Sequence, residues 1–451
     1  MQSLYVCMVI KNECRIVARM RHELHASATR EKYRVGPGDF SRQPTLTLPR
    51  VATLVLRGHK LSQQNALNKF FRELNQPEII LTGSAYCQAR QKIKPELFVH
   101  LNASLVEEFT ALSQSDQTWQ TWREHRLLGA DGTKLNLPDT AELRAAYSLI
   151  GNQHGAAGQG VQALAVVLYD LLNDVGLGAH LGPLTHEPKV LLKQLSALTQ
   201  ANDLLVLDRN FSDYVLIAWA VYHQRHLLIR CQSNSFGVVE DFLASAETDR
   251  VTPLHCSDRK KTRSDIKALG LPEQVTVRLL KFSLPTGETE VLLTTLCDQE
   301  KYPHDEFYQV YGKRWNQESY YDRIKNIFEV ERFSGLSKLA IEQDFHGVIF
   351  LATLESTLAQ SAQAALTARA QRRPAKARPQ INRAVSYVSL LDHTVALLAD
   401  PELPLEKVVE QLHRLLQTNP KYNASGRQFD RPPRSPSRSL RNQRYRKRIT
   451  G

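Results

Sequence analysis

The stretch Asp203–Cys231, DLLVLDRNFSDYVLIAWAVYHQRHLLIRC, decides the fold. Asp203–Leu207 is a short apolar run of strand character, Tyr214–His223 has helical periodicity, and His226–Cys231 is a second strand. Strand, helix and strand in so short a span form the repeating unit of an α/β sheet. Toward the N-terminus, Pro188–Thr199 carries Leu191, Leu192 and Leu195 on one helical side. Gly178–Leu184 and the long apolar run Val161–Leu172 read as strands, and Leu127–Leu137 (LLGADGTKLNL) as a strand with a glycine kink. Toward the C-terminus the pattern breaks from Gln232 to Asp298. Within that break Val275–Leu284 and Glu288–Leu296 form a hairpin about Pro285-Thr286-Gly287. The cluster Gly151–Gly160 (GNQHGAAGQG) reads as a turn. It lacks the Gly-Lys-Ser/Thr ending of a phosphate loop and precedes a strand, not a helix.

Helices flank this mixed sheet. Met1–Asp39 shows little pattern and ends at the Gly-Pro-Gly turn of Gly36–Gly38. Pro49 suits the first turn of a helix that stops at Arg57-Gly58, Ser62 caps a helix over Gln63–Leu74, Ser84 starts another, and Pro95 opens one over Glu96–Glu108. Two short helices about a glycine turn have helix-turn-helix spacing, which any helical bundle shares. Helical periodicity returns over Phe307–Glu329, Phe345–Leu366 and Ile381–Gln417, with a basic, proline-containing loop over Thr367–Gln380.

The chain has 451 residues, 42% hydrophobic and 23% charged, which excludes a largely disordered chain, a collagen-like fibre and a polytopic membrane protein. Its net charge of +12 is concentrated at one end. Lys421–Gly451 holds ten basic residues and one acid, a net +9. That segment lacks hydrophobic periodicity and is expected to be disordered when unbound, with a polyanionic partner, nucleic acid first. The six cysteines form no Cys-x-x-Cys pair, and no apolar run approaches the ~18 residues a span needs, so a cytoplasmic chain is expected.

Chemistry concentrates in Tyr311–Lys325 (YGKRWNQESYYDRIK). Tyr311, Arg314, Glu318 and Lys325 stand at offsets 0, 3, 7 and 14, a single stripe of a helix. A solvated face with an Arg314–Glu318 pair accounts for that spacing as well as a metal-holding carboxylate flanked by phosphate-holding cations. A magnesium site for phosphoryl transfer needs further carboxylates. Asp131 lies inside an apolar strand, where an idle polar group is costly, and Asp208 lies at the carboxyl end of a strand, where open α/β sheets place their sites. Asp139, Asp203, Asp213 and Asp322 compete.

Together, Asp131 in DGT, Asp208 in DRNF after an apolar strand, and Tyr311-x2-Arg314-x3-Glu318-x6-Lys325 resemble the bacterial DDE transposases of the insertion sequence four family, defined by that Tyr-Arg-Glu-Lys signature. The resemblance covers roughly residues 40–451 and includes the helical LTLPRVATLVLRGHKLSQQNALNKFF. Asn210, where many members have Gly after Asp-Arg, departs from it, and Met1–Asp39 has no counterpart. The resemblance implies a ribonuclease H-like catalytic domain with helical N- and C-terminal regions. In it Asp131, Asp208 and Glu318 meet as catalytic metal ligands, and Tyr311, Arg314 and Lys325 contact DNA phosphates. It implies a β-rich insertion between the second Asp and the Glu. It also implies two Mg²⁺ (or Mn²⁺) ions per site, double-stranded DNA as element ends and target, a homodimer in the DNA complex, and a cytoplasmic, nucleoid-associated protein without membrane contact. Several members cut through a hairpin intermediate.

The expected segments are then 1–39, unassigned; 40–118, helical and DNA-binding; 119–235, first part of the core; 236–302, the insertion; 303–370, second part with the Glu helix; 371–420, helical; and 421–451, the basic tail. A catalytically silent DNA-binding relic and a metal nuclease without strand transfer are the alternatives.

Overall fold

The computed structural model describes residues 2–41, 45–58, 62–150, 160–284, 287–370 and 378–422. The basic tail beyond Tyr422, Gly151–Gln159, the hairpin turn at Pro285-Thr286 and the turn at His59–Leu61 of the two-helix motif lie outside them. In chain order the elements begin with helices α1 (Gln2–His25), α2 (Ser27–Tyr33), α3 (Leu48–Arg57), α4 (Gln63–Glu73), α5 (Gly83–Arg90) and α6 (Glu96–Ser115). There follow β1 (Leu127–Leu137), α7 (Ala141–Ala146), β2 (Ser148–Leu149), β3 (Val161–Asp170), β4 (Val175–Gly182), α8 (Glu187–Val190), β5 (Leu204–Leu207), α9 (Tyr214–Tyr222) and β6 (His226–Cys231). Next come α10 (Gly237–Ala244), β7 (Asp249–His255), α11 (Lys260–Leu269), β8 (Gln274–Ser283), β9 (Thr289–Thr294), α12 (His304–Gly312) and α13 (Trp315–Asn326). The chain closes with α14 (Lys338–Ala370), β10 (Pro379–Gln380), α15 (Arg383–Thr394), α16 (Leu405–Leu416) and β11 (Lys421–Tyr422).

Two compact units result. One comprises Trp119–Lys134 and Leu164–Tyr321; the other comprises Met1–Thr118, Leu135–Ala163 and Asp322–Gly451. The first is built on a mixed sheet with strand order β3-β1-β5-β6-β9-β8-β7. β1, β5 and β6 run parallel, whereas β9, β8 and β7 continue the same sheet antiparallel. Residues Leu204–Leu207 are wholly buried, as are Leu227–Ile229. Strands covered on both faces need no polar alternation, which is why they read as continuous apolar runs. The hairpin and the strand–helix–strand reading are realised here, with β9, β8 and β7 joined edge to edge to β6.

The second unit is helical. The 33-residue α14 packs against α6, α3 and α16. Four sequence expectations are revised, the first being that Thr367–Ala370, expected in a loop, is the end of α14. Met1–Asp39 is not patternless: α1 buries Ile16, Val17, Met20 and Leu24 in this unit. Its inner face also carries Glu13 and Arg21, whose polar side chains interrupt the apolar periodicity. Ile381–Gln417 is two helices, because Pro401 and Pro404 lie between α15 and α16 and cannot continue a helix. In the sheet unit, Pro188–Thr199 is regular only in α8; a π turn over Leu191–Leu195 and a 3-10 turn over Ser196–Leu198 follow.

Candidate active site

Strand pairing brings two of the expected carboxylates together. Leu127, Leu128 and Gly129 of β1 pair with Leu204, Leu205 and Val206 of β5. Two residues further in the same register, Asp131 stands level with Asp208, and alternation sends both side chains to the face shared by Gly129 and Val206. Leu207 pairs with Ile229 of β6, so one residue further Asp208 stands level with Arg230. Arg230 is bound to the buried Glu290 of β9 at 3.1 Å. Asp208 caps a 3-10 turn, Oδ1 accepting from Asn210 N at 2.9 Å, so Asn210 serves where Gly was expected.

Helix α13 delivers Glu318 to that face. Phe307–Glu329 is not the single helix expected: α12 ends at Gly312, and a tightened turn with Lys313 N bonded to Val310 O and Arg314 N to Tyr311 O separates it from α13. The turn keeps the first three stripe residues adjacent. Arg314 donates from Nη2 to Glu318 Oε1 at 2.7 Å, and its guanidinium lies over the rings of Tyr311 and Trp315 at 5.8 and 5.1 Å. Tyr311 is buried, and burial pushes its phenol up to about 12. Lys325 is half-buried near the end of α13, in the part of the chain that belongs to the helical unit.

Three side chains that sequence reasoning passed over hold α13 on the sheet. Asn316 Nδ2 donates to Leu171 O at 2.8 Å, Gln317 Nε2 donates to Val167 O at 2.9 Å, and Tyr321 OH accepts from Val167 N and donates to Asp131 O. The approach is close enough to require glycine beneath it: a Cβ on Gly129 would stand 2.3 Å from Gln317 Oε1. The glycine between Leu128 and Asp131 was the available signal.

The carboxylates repel one another. Asp131 is raised to about 6, by burial first and then by Asp208, with Glu318 adding to the effect. Asp208 is raised by burial, against the lowering pull of Arg314, Arg209 and Arg230. A fourth carboxylate not anticipated from sequence, Glu187 at the start of α8, is raised to about 7 by burial, then Asp131, then Asp208. The competitors have structural roles. Asp139 pairs with Arg144, buried Asp203 pairs with Arg126 at 2.6 Å, Asp213 caps α9 through Val215 N, and Asp322 is exposed.

As the side chains lie, no three His, Cys, Asp or Glu among the described residues stand close enough to hold a metal ion, and Glu318 is turned onto Arg314. The donor set still fits one. It consists of carboxylate oxygens, the ligands hard divalent cations take, and its mutual repulsion is of the kind a cation relieves.

Residues 122–354 match the family described as the transposase DDE domain. The chain belongs to that family. The matched span contains all six residues of the expected signature and excludes most of the helical unit. The chain is also similar to the transposase InsG for insertion sequence element IS4 of Escherichia coli (strain K12), 27% identical over 295 residues, which are 61% of this chain and 62% of that protein. The resemblance to the insertion sequence four family is thereby borne out, and the chain spans about three fifths of the length of this curated relative. Among solved structures, a piggyBac transposase synaptic complex with hairpin DNA is similar at 11% identity and a TM-score of 0.41, covering 91% of this chain and 83% of that one.

Proposed function

We propose that this DDE family member is an insertion-sequence transposase. It binds the terminal inverted repeats of its element, cleaves the double-stranded DNA ends and joins them to target DNA. The observation that carries the reading is the seating of Glu318, through Asn316, Gln317 and Tyr321, over the strand pair that sets Asp131 level with Asp208. The proposed frame is ribonuclease H-like, with β7, β8 and β9 as its β-rich insertion. The seven segments expected from the sequence, from the 40–118 DNA-binding region to the 421–451 basic tail, belong to this reading.

Asp131, Asp208 and Glu318 are the proposed ligands of two Mg²⁺ or Mn²⁺ ions. When bound, such ions lower the pKa of an attacking water or 3′-hydroxyl and stabilise the leaving 3′-oxygen. The remaining roles fall to the chain. Gln317, Asn316 and Tyr321 fix the helix that carries Glu318. With a cation bound, Glu318 would be one of its ligands in place of its bond to Arg314, whose guanidinium would hold the scissile phosphate. Tyr311 and Lys325 position flanking phosphates, with the deprotonated phenol disfavoured at any physiological pH. A hairpin intermediate, a homodimer on paired ends, and a cytoplasmic, nucleoid-associated protein complete the proposal. Among the described residues no helix is long and apolar enough to cross a membrane.

The test is cleavage of labelled DNA carrying the element's ends, with Mg²⁺, by wild type and Glu318→Gln. Metal-dependent cleavage that disappears in the variant, with DNA binding retained, is the expected result. Cleavage by the variant at the wild-type rate sinks the assignment, and absence of cleavage by folded, DNA-binding wild type favours the catalytically silent relic.

A further inference from the structure

We propose that Glu187 is a fourth carboxylate of this site, holding the divalent cation together with Asp131 and Asp208. The inference rests on the proposed function and deepens it. Nothing in the DDE signature names this position, which lies 21 residues before Asp208, in the segment between β4 and β5.

The first argument is steric. The carboxyl of Glu187 lies against the backbone of Gly132, next to Asp131. A Cβ at Gly132 would stand 2.1 Å from Glu187 Oε1 and 2.6 Å from its carboxyl carbon. Gly132 does not have a positive φ, unlike Gly58, Gly160, Gly270 and Gly287. Its backbone therefore suits any residue, and what glycine supplies is room for the carboxyl. The second argument is the state of that carboxyl. Its Oε2 is shut off from solvent and has no hydrogen-bond partner. An unsatisfied buried oxygen is costly, more so when charged, and is tolerated where a ligand completes it. The third is the company it keeps. The Glu187 carboxyl lies against Gly132, the neighbour of Asp131, and both Asp131 and Asp208 repel it while Lys134 opposes them. Arg314 offsets part of the charge on Asp131 and Asp208, and as the side chains lie the three carboxylates do not stand close enough to hold an ion. A hard divalent cation takes carboxylate oxygens and would supply the missing charge and fill the vacant coordination of Oε2. A residue with only a packing role has no need of this arrangement.

Titration calorimetry of Mn²⁺ into the full chain without DNA tests the proposal, because it reads the site apart from catalysis. Wild type, Glu187→Gln, Gly132→Ala, Asp131→Asn and Asp208→Asn are compared. Glu187→Gln is expected to weaken Mn²⁺ binding by about 10–100-fold, the range found when metal-site supporting groups are lost. Gly132→Ala, which keeps Glu187 but pushes its carboxyl aside, is expected to weaken binding in the same direction, and it decides the matter if Glu187→Gln does not fold. Wild-type affinity in Glu187→Gln and Gly132→Ala, with loss in Asp131→Asn and Asp208→Asn, overturns the role of Glu187 and leaves the proposed function standing. Wild-type affinity in all four overturns the cation site and the inference with it.

Discussion

The two units solve burial in opposite ways. The sheet unit buries apolar strands, pairs buried charges such as Asp203 with Arg126 and Arg278 with Asp249, and leaves Asp131, Asp208 and Glu187 repelling one another. The helical unit carries charged groups such as Arg90, Glu13, Arg21 and Glu355 in its interior and pairs each of these. Arg90 is buried with its Nε on Gln343 Oε1 at 2.7 Å and its Nη2 on Asp344 Oδ1 at 2.8 Å and Ala340 O at 2.9 Å. Glu13 accepts from Ser361 Oγ at 2.7 Å and meets His413 Nδ1 at 2.9 Å, and Arg21 Nε donates to Leu397 O at 2.9 Å. Glu355 is held by Arg383 and Ser386. Buried polar groups are costly unless paired. The helical unit's charges are therefore fastenings, whereas Asp131, Asp208 and Glu187 carry an electrostatic cost that a bound cation would relieve.

The largest effect is expected from breaking a fastening. Arg90→Ala leaves Asp344 and Gln343 buried without their partner, and truncating one member of a buried pair costs about 3–5 kcal/mol. The midpoint of urea unfolding should fall steeply. Replacing both partners, Arg90→Met with Asp344→Leu, should recover much of the loss, since the penalty belongs to the stranded charge. A double variant as unstable as Arg90→Ala would show that packing, not charge pairing, is what Arg90 supplies.

The same contrast explains what was legible in the sequence. The strands of the sheet unit were: Leu204–Leu207 is an unbroken apolar run buried throughout, and Leu127–Leu137 and His226–Cys231 begin and end where β1 and β6 do. The first helix was not, because Glu13 and Arg21 sit on its buried face and their partners, His413 and Leu397, lie about 400 residues away in sequence. Spacing alone carries no sign of such pairing. Asp131, Asp208, Glu318, Tyr311 and Arg314 were legible as a signature. Their supports were not, since Gln317 and Asn316 matter through bonds to the carbonyls of Val167 and Leu171 on another strand. Glu187 was hidden for the same reason: it reaches the site by tertiary approach to Gly132.

Gly129 sharpens the comparison from the sheet side. Its substitution by Ala drives a methyl group into Gln317 at 2.3 Å and into Leu171 at 2.9 Å, so the Gln317 side chain that ties α13 to Val167 must give way. A displacement near 1 Å at a catalytic carboxylate costs on the order of 100-fold in rate. Gly129→Ala should therefore lower end cleavage by about that factor while the urea midpoint changes little. Shortening the obstructing side chain, in Gly129→Ala with Gln317→Ala, should restore part of the rate. If the double variant is slower than both single ones, the steric account of Gly129 fails.

The smallest effect tests whether the site's charge is carried at a cost. The folded pKa of Asp131 lies near 6, above its ordinary value of 3.8. A raised carboxyl contributes its full stability below pH 4, where it is protonated in both states, and loses it as pH rises through 6, where the unfolded chain ionises freely and the folded one resists. The shift corresponds to roughly 2 kcal/mol after allowance for the group's partial exposure. Asp131→Asn keeps the bond from Gly132 N and removes the charge. It should be more stable than wild type at pH 8 without metal, with the difference vanishing toward pH 4. Adding Mg²⁺ at pH 8 should raise the midpoint of wild type more than that of the variant, in which only the repulsion between Asp208 and Glu187 remains for a cation to relieve. Equal stability of the two proteins across this range would mean that the three carboxylates do not strain the fold, and the contrast between a satisfied and an unsatisfied interior would be lost.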